Sequence, residues 1–187
     1  MKKRKIVVIG AVGGAGKNTV VKGLVEKYPD VYLKFPSVAS REMRPNETQG
    51  DPYIFVSEKE FERMIKFGDV MEYTTMHGSY RGMSGKIIDE YGKSGKVLLN
   101  DCDYIGVKTL KKKYKDCVTA IFLDVSKTEL EKRMRERPGT TQEFIDFRLG
   151  NYDKEYQTIK YYDHVVPNDD LEKCLEQIHK IVTAKHK

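Results

Sequence analysis

The chain has 187 residues, 39% of them hydrophobic and 33% charged, which suits a water-soluble fold with one domain and a substantial core. Lysine and arginine number 34 against 28 acidic residues, and the formal net charge of +6 fits a polyanionic partner such as a nucleotide. The lysines are scattered over several predicted helices, so nucleic-acid binding is not expected, and no apolar stretch is long enough to span a membrane.

The basic start Met1-Lys-Lys-Arg-Lys5 precedes an apolar run that glycines interrupt at once, so a targeting segment is not expected either. Cys102, Cys117 and Cys174 are odd in number and lack metal-ligand spacing, which reads as reduced core thiols in a cytoplasmic protein.

The first element is the most informative. Ile6-Val-Val-Ile-Gly-Ala-Val-Gly-Gly-Ala-Gly-Lys-Asn-Thr19 reads as a buried strand, a glycine-rich turn and the start of a helix. Gly13, Gly14 and Gly16 let backbone amides approach a phosphate, Ala15 sits among them, and Lys17 can reach terminal phosphates. The helix opening near Lys17 adds its N-terminal dipole to the same anion site. This is the physics of the phosphate-loop consensus G-x-x-x-x-G-K-S/T, with two departures. Ala11 occupies the first glycine position, and Asn18 stands where a hydroxyl would hold Mg²⁺, with Thr19 following. An amide oxygen can also ligate Mg²⁺.

A helical stripe from Val20 to Tyr28 comes next, then an extended segment over Tyr32 to Val38. Arg41 to Tyr53 is polar and turn-rich, with Arg41 and Arg44 three residues apart. Tyr53 to Val56 reads as a strand, and Ser57-Glu-Lys-Glu60 as a capping box opening a helix that Gly68 closes. Val70 to Thr75 is a further strand, His77-Gly78 a turn, and Ile87 and Ile88 mark a helix ending near Ser94-Gly95. Val97 to Asp101 is a second buried strand with acids at its C-terminal end, where ligands bind in open α/β sheets. Then follow a basic helix from Gly106 to Lys115 and a strand from Val118 to Leu123. Ser126 caps a helix that Pro138-Gly139 breaks, and Thr140-Thr-Gln-Glu143 caps another. A last strand over His164 to Val166 leads to an amphipathic helix from Leu171 to Val182. The alternation predicts a doubly wound α/β domain on a parallel sheet.

A phosphate loop for one nucleotide and arginines for the transferred group are what phosphoryl transfer needs, since its catalysis is mostly positioning and charge neutralisation. The ordered segments Gly13-Gly-Ala-Gly-Lys17, Ser37, Arg41, Arg44, Glu47, Gly50, Tyr53, Phe55-Val56, Glu72, Gly78-x-Tyr80-x-Gly82, Asp101-x-Asp103, Gly106-Val-Lys108, Arg137, Arg148-Leu149 and Asn168-Asp-Asp-Leu171 resemble the guanylate kinase family over nearly the whole chain.

The resemblance implies one domain over residues 1–187, with a P-loop core over about 1–35 and 96–187. It also implies a monophosphate-binding insertion over about 36–95 and a helical lid over about 135–148. It gives ATP to the loop residues 13–19 and to Asn168 on the adenine side, and Mg²⁺ at the loop to Asn18. Arg41, Arg44 and Tyr53 would hold the acceptor phosphate, and Ser37, Glu72 and Asp103 the guanine. Lys17, Arg137 and Arg148 would neutralise the phosphoryl group, while Asp101 positions Mg²⁺ through water.

Arg81 and Met83 depart from the family pattern, replacing a tyrosine at the phosphate and a hydroxyl at the base. The implied activity is ATP-dependent phosphorylation of GMP or dGMP. Those departures leave open a different nucleoside monophosphate or a phosphorylated sugar, and Ala11 and Asn18 leave open a non-catalytic binding module. Either a monomer or a homodimer is compatible with the sequence.

Overall fold

A computed structural model describes residues 5–76 and 78–184. The basic Met1–Arg4 segment and His77 of the expected turn lie outside the described residues.

Strand β1 (Ile6–Gly10) is buried along its whole length, as an apolar run without alternation requires of a strand covered on both faces. It pairs in parallel with β7 (Val97–Asp101) and β8 (Val118–Asp124). With β2 (Tyr32–Lys34) and β9 (His164–Pro167) these strands form a five-stranded parallel sheet in the order β2-β7-β1-β8-β9. The two-residue period of the strands splits the core in two. Val7, Ile9, Leu99, Ile121 and Leu123 pack under α1 (Lys17–Lys27) and α7 (Leu171–Thr183). Ile6, Val8, Leu98, Val118 and Ala120 pack on the opposite face with Ile88 of α3 (Gly85–Tyr91) and with Val107 and Leu110 of α4 (Tyr104–Tyr114). Helices on both faces make the sheet doubly wound, as the sequence predicts.

A second sheet, ordered β4-β3-β6-β5, contains β3 (Ser37–Ala39), β4 (Tyr53–Phe55), β5 (Val70–Met76) and β6 (Ser79–Ser84). Phe61 of α2 (Glu58–Lys66), Val38 and Val70 form its own small core. Ser57 caps α2 by accepting from the Glu60 N–H, but the Glu60 carboxylate turns to Arg63 instead of back to the cap. Only half of the expected capping box therefore forms.

Three expectations about elements change. The segment from Tyr32 to Val38 is two strands in different sheets, parted by Phe35-Pro36. The hairpin strand β6 was not foreseen. Helix α4 begins at Tyr104, because the Asp103 carboxylate caps it by accepting from the Ile105 and Gly106 N–H groups. A smaller shift concerns α6 (Gln142–Tyr156), whose cap is Thr141 and not Thr140. It follows α5 (Lys127–Glu136) across the Pro138-Gly139 turn. Among the described residues, no helix is long and apolar enough to cross a membrane.

Candidate active site

The loop after β1 turns through Gly14 and Gly16, at φ 94° and 88°, a left-handed conformation that residues with a Cβ rarely adopt. Lys17 then opens α1 and folds back over the loop, its Nζ donating to the carbonyls of Ala11 at 3.2 Å and Val12 at 3.5 Å. Burial lowers the pKa of this ammonium, and the Asp101 and Glu155 carboxylates oppose that shift. Asp101 is close because β7 is in register with β1, which sets it opposite Ile9. The buried amide of Asn168 braces the loop by donating from Nδ2 to the Ala15 carbonyl at 2.8 Å. Asn18 and Thr19 are exposed in the first turn of α1.

Facing this loop is the β5–β6 hairpin. Glu72 lies opposite Met83 and Thr74 opposite Arg81, so the alternation of the strands sends all four to one side. They line a cavity of about 190 Å³ together with Lys17, Ser37, Asp101 and Asp103. Burial, with a contribution from the Asp103 charge, raises the Glu72 carboxyl to about 7. Its Oε2 is buried and has no hydrogen-bond partner among the described residues. A Cβ on Gly106 would come within 2.7 Å of that oxygen, so the absence of a side chain there keeps space for the carboxylate. Met83 is 3% exposed and shares a core with Ile88, Leu98 and Val107. It gives the cavity an apolar wall beside Glu72.

Beyond the hairpin, the Tyr53 ring carries two guanidinium groups, Arg81 at 4.4 Å from its centroid and Arg41 at 5.3 Å. Both Arg41 Nη atoms bond the Glu47 carboxylate, at 2.7 and 2.5 Å. That fork, with the Arg44 backbone N–H, lowers the Glu47 carboxyl to about 2. Burial lowers the pKa of Arg81, and the Asp101 carboxylate works against that shift. Arg44 itself is exposed.

Arg148 comes from α6 and packs directly on Gly13, where a Cβ would collide with its Nη1. Arg137 is exposed at the C-cap of α5, outside the cavity wall. Lys17, Ser37, Glu72, Arg81, Met83, Asp101 and Asp103 are thus brought together, whereas Arg44 and Arg137 stand apart and Asn168 lies behind the loop.

Two site residues escaped the sequence reading. Asn100 is buried, donates from Nδ2 to Ser37 Oγ at 3.3 Å and accepts from the Asp101 N–H at 2.8 Å. An amide in the apolar run Val97-Leu-Leu was the available signal. Glu155 gave none beyond its place seven residues after Arg148, two turns along one helix face.

The Guanylate kinase family model matches residues 2–185. The chain belongs to the guanylate kinase family. It is 34% identical over 181 residues to the guanylate kinase of Rhizobium meliloti (strain 1021), covering 96% of this chain and 82% of that protein. The guanylate kinase of Fusobacterium nucleatum subsp. nucleatum is 35% identical over 177 residues, 95% of each chain. Among solved structures, the guanylate kinase of Anaplasma phagocytophilum superposes with a TM-score of 0.73 at 25% identity, covering 97% of this chain and 85% of that one. Relatives that are themselves guanylate kinases, matched over nearly the whole chain, make it an enzyme of the nucleoside monophosphate kinase class and not the non-catalytic binding module.

Proposed function

We propose that this guanylate kinase family member transfers the terminal phosphoryl group of ATP to GMP, or dGMP, within the cavity between the phosphate loop and the β5–β6 hairpin. One observation carries the acceptor assignment: Glu72 Oε2 is buried and has no hydrogen-bond partner among the described residues, in a cavity that Lys17 also lines. Guanine offers a ring N–H and an amino group side by side, which one carboxylate can accept together. Each such charged bond contributes roughly 1.5–3 kcal/mol. Adenine and the pyrimidines present no such pair, and the Met83 wall gives them no replacement. Ser37 and Asp103 flank the base.

Arg41 and Arg81, stacked on Tyr53, hold the acceptor phosphate, and Arg44 joins them from the exposed turn. The loop at residues 13–19, through its amides other than the Gly13 N–H that Glu155 takes, holds the donor phosphates together with the dipole of α1, and Asn168 supports the loop from behind. Lys17 and Arg148, joined by Arg137 from the lid over about 135–148, neutralise charge as the phosphoryl group moves. Among the described residues no three acidic or imidazole groups cluster as a metal cage. Mg²⁺ at a nucleotide site needs few protein ligands besides phosphate and water, and Asn18 at the loop, with Asp101 acting through water, fits that need. Mg²⁺ held there would supply charge neutralisation for the donor phosphates.

In this division the core covers about residues 1–35 and 96–187 and the acceptor insertion about 36–95. We place the enzyme in the cytoplasm as a monomer or homodimer, which sedimentation distinguishes. A coupled assay of ADP formation over a panel of monophosphates tests the acceptor. GMP and dGMP are expected to lead; faster turnover of UMP, CMP or a sugar phosphate overturns the assignment.

A further inference from the structure

Helix α6 brings a carboxylate, as well as an arginine, to the phosphate loop. Glu155 Oε2 accepts the Gly13 N–H at 2.5 Å, and its Oε1 lies 3.8 Å from Arg148 Nη1. A negative charge beside a site for a polyanion opposes nucleotide binding by simple Coulomb repulsion. Its presence there calls for a compensating role.

Two features of the surroundings indicate that role. The C-terminal half of α6 is fastened to the core, with Tyr152 Oη donating to the Val125 carbonyl at 2.7 Å and Tyr156 Oη to Asp124 Oδ1 at 3.1 Å. In the N-terminal half Ile145 is buried in the core, while Phe144 and Phe147 stand exposed with the Arg148 guanidinium 5.0 and 5.8 Å from their rings. Arg148 Nε is buried and has no hydrogen-bond partner among the described residues. Glu155, on the half of α6 fastened by Tyr152 and Tyr156, is thus the carboxylate within ion-pair distance of this guanidinium at the loop.

We infer that Glu155 is a positioning residue for phosphoryl transfer: its carboxylate ties the Gly13 amide to Arg148 and so sets the guanidinium over the phosphate loop. The inference rests on the role given above to Arg148. A group held in place before the reaction needs no reorganisation when charge develops, and a misplacement of about 1 Å costs up to about a hundredfold in rate.

Steady-state kinetics and thermal melting of Glu155→Gln, Arg148→Ala and the double variant separate the possibilities. The amide of Glu155→Gln keeps an acceptor for the Gly13 N–H but loses the charge that holds Arg148. Its kcat should fall by about tenfold to a hundredfold while KM for GMP and the melting temperature stay near the parent values. In the Arg148→Ala background the same change should have little further effect, because the residue it positions is gone. Parental kcat in Glu155→Gln, or losses that multiply in the double variant, overturn the inference. Parental kcat in Arg148→Ala alone overturns instead the role of Arg148, so the two failures are distinct.

Discussion

The Arg81 guanidinium lies 4.4 Å over the ring of Tyr53, and Arg41 approaches the same ring at 5.3 Å. Two cations this close repel unless something between them is attractive, and the quadrupole of the ring supplies that attraction. Glu47 neutralises Arg41 through its fork, whereas Arg81 faces the cavity, where the Asp101 charge and, less strongly, Glu47 act on it without a direct bond among the described residues. In the proposed complex the acceptor phosphate would complete the neutralisation of Arg81.

Arg81→Ala should accordingly raise KM for GMP by roughly tenfold to a hundredfold, the worth of one charge-assisted bond. Tyr53→Phe keeps the ring and should change KM far less than Tyr53→Leu. A KM unmoved by Arg81→Ala would show that this arginine does not touch the phosphate.

Glu72 gives a pH dependence of definite sign. Its carboxyl is raised from 4.5 to about 7, so between those values the folded protein keeps a proton that the unfolded chain has lost. Stability contributed by the protonated group is present at low pH and lost as pH rises through that window. Glu72→Gln should remove the loss, and melting curves of the two proteins should diverge as pH climbs from 4.5 toward 7. GMP binding moves in the opposite direction, because the base needs the ionised acceptor. Calorimetric affinity for GMP should weaken below about pH 7 in the parent, and Glu72→Gln should lose the part of that dependence due to the carboxyl.

Lys17→Ala should lower turnover by at least about a hundredfold, as removing a preorganised charge-stabilising donor does. The strand and helix cores do not include this side chain, so a cooperative melt should persist. Normal turnover in the variant would take the loop lysine out of the mechanism.

The buried Asn168 amide bonds the Ala15 carbonyl, and its loss leaves that acceptor unsatisfied. Asn168→Ala should cost about 1–3 kcal/mol of stability by denaturant titration. An ATP affinity that falls with no change in stability would instead place Asn168 on the nucleotide itself.

The central strands β1 and β7 were legible because each opens on an unbroken apolar run, Ile6 to Ile9 and Val97 to Leu99, that ends at Gly10 or at Asn100-Asp101. Strand β6 was not. Ser79-Tyr-Arg-Gly-Met-Ser84 has a glycine at its centre and points Arg81 at the cavity, which breaks the apolar alternation of a strand. The phosphate loop and the acceptor residues stood out through their residue types, since Gly16-Lys17 and the Arg41, Arg44 pair have few other uses. Glu155 did not, because a glutamate on an amphipathic helix ordinarily faces water. Its meaning depends on the crossing of α6 over the loop, a tertiary relationship with no local signature.

The central claim is that a carboxylate at Glu72 reads the guanine edge, and the most direct measurement compares kcat/KM for GMP and IMP in the parent and in Glu72→Gln. IMP lacks the amino group and forfeits one charged bond, so the parent should favour GMP by roughly tenfold or more, and the preference should shrink sharply in the variant. An equal preference for GMP in both proteins, or none in the parent, would contradict the account.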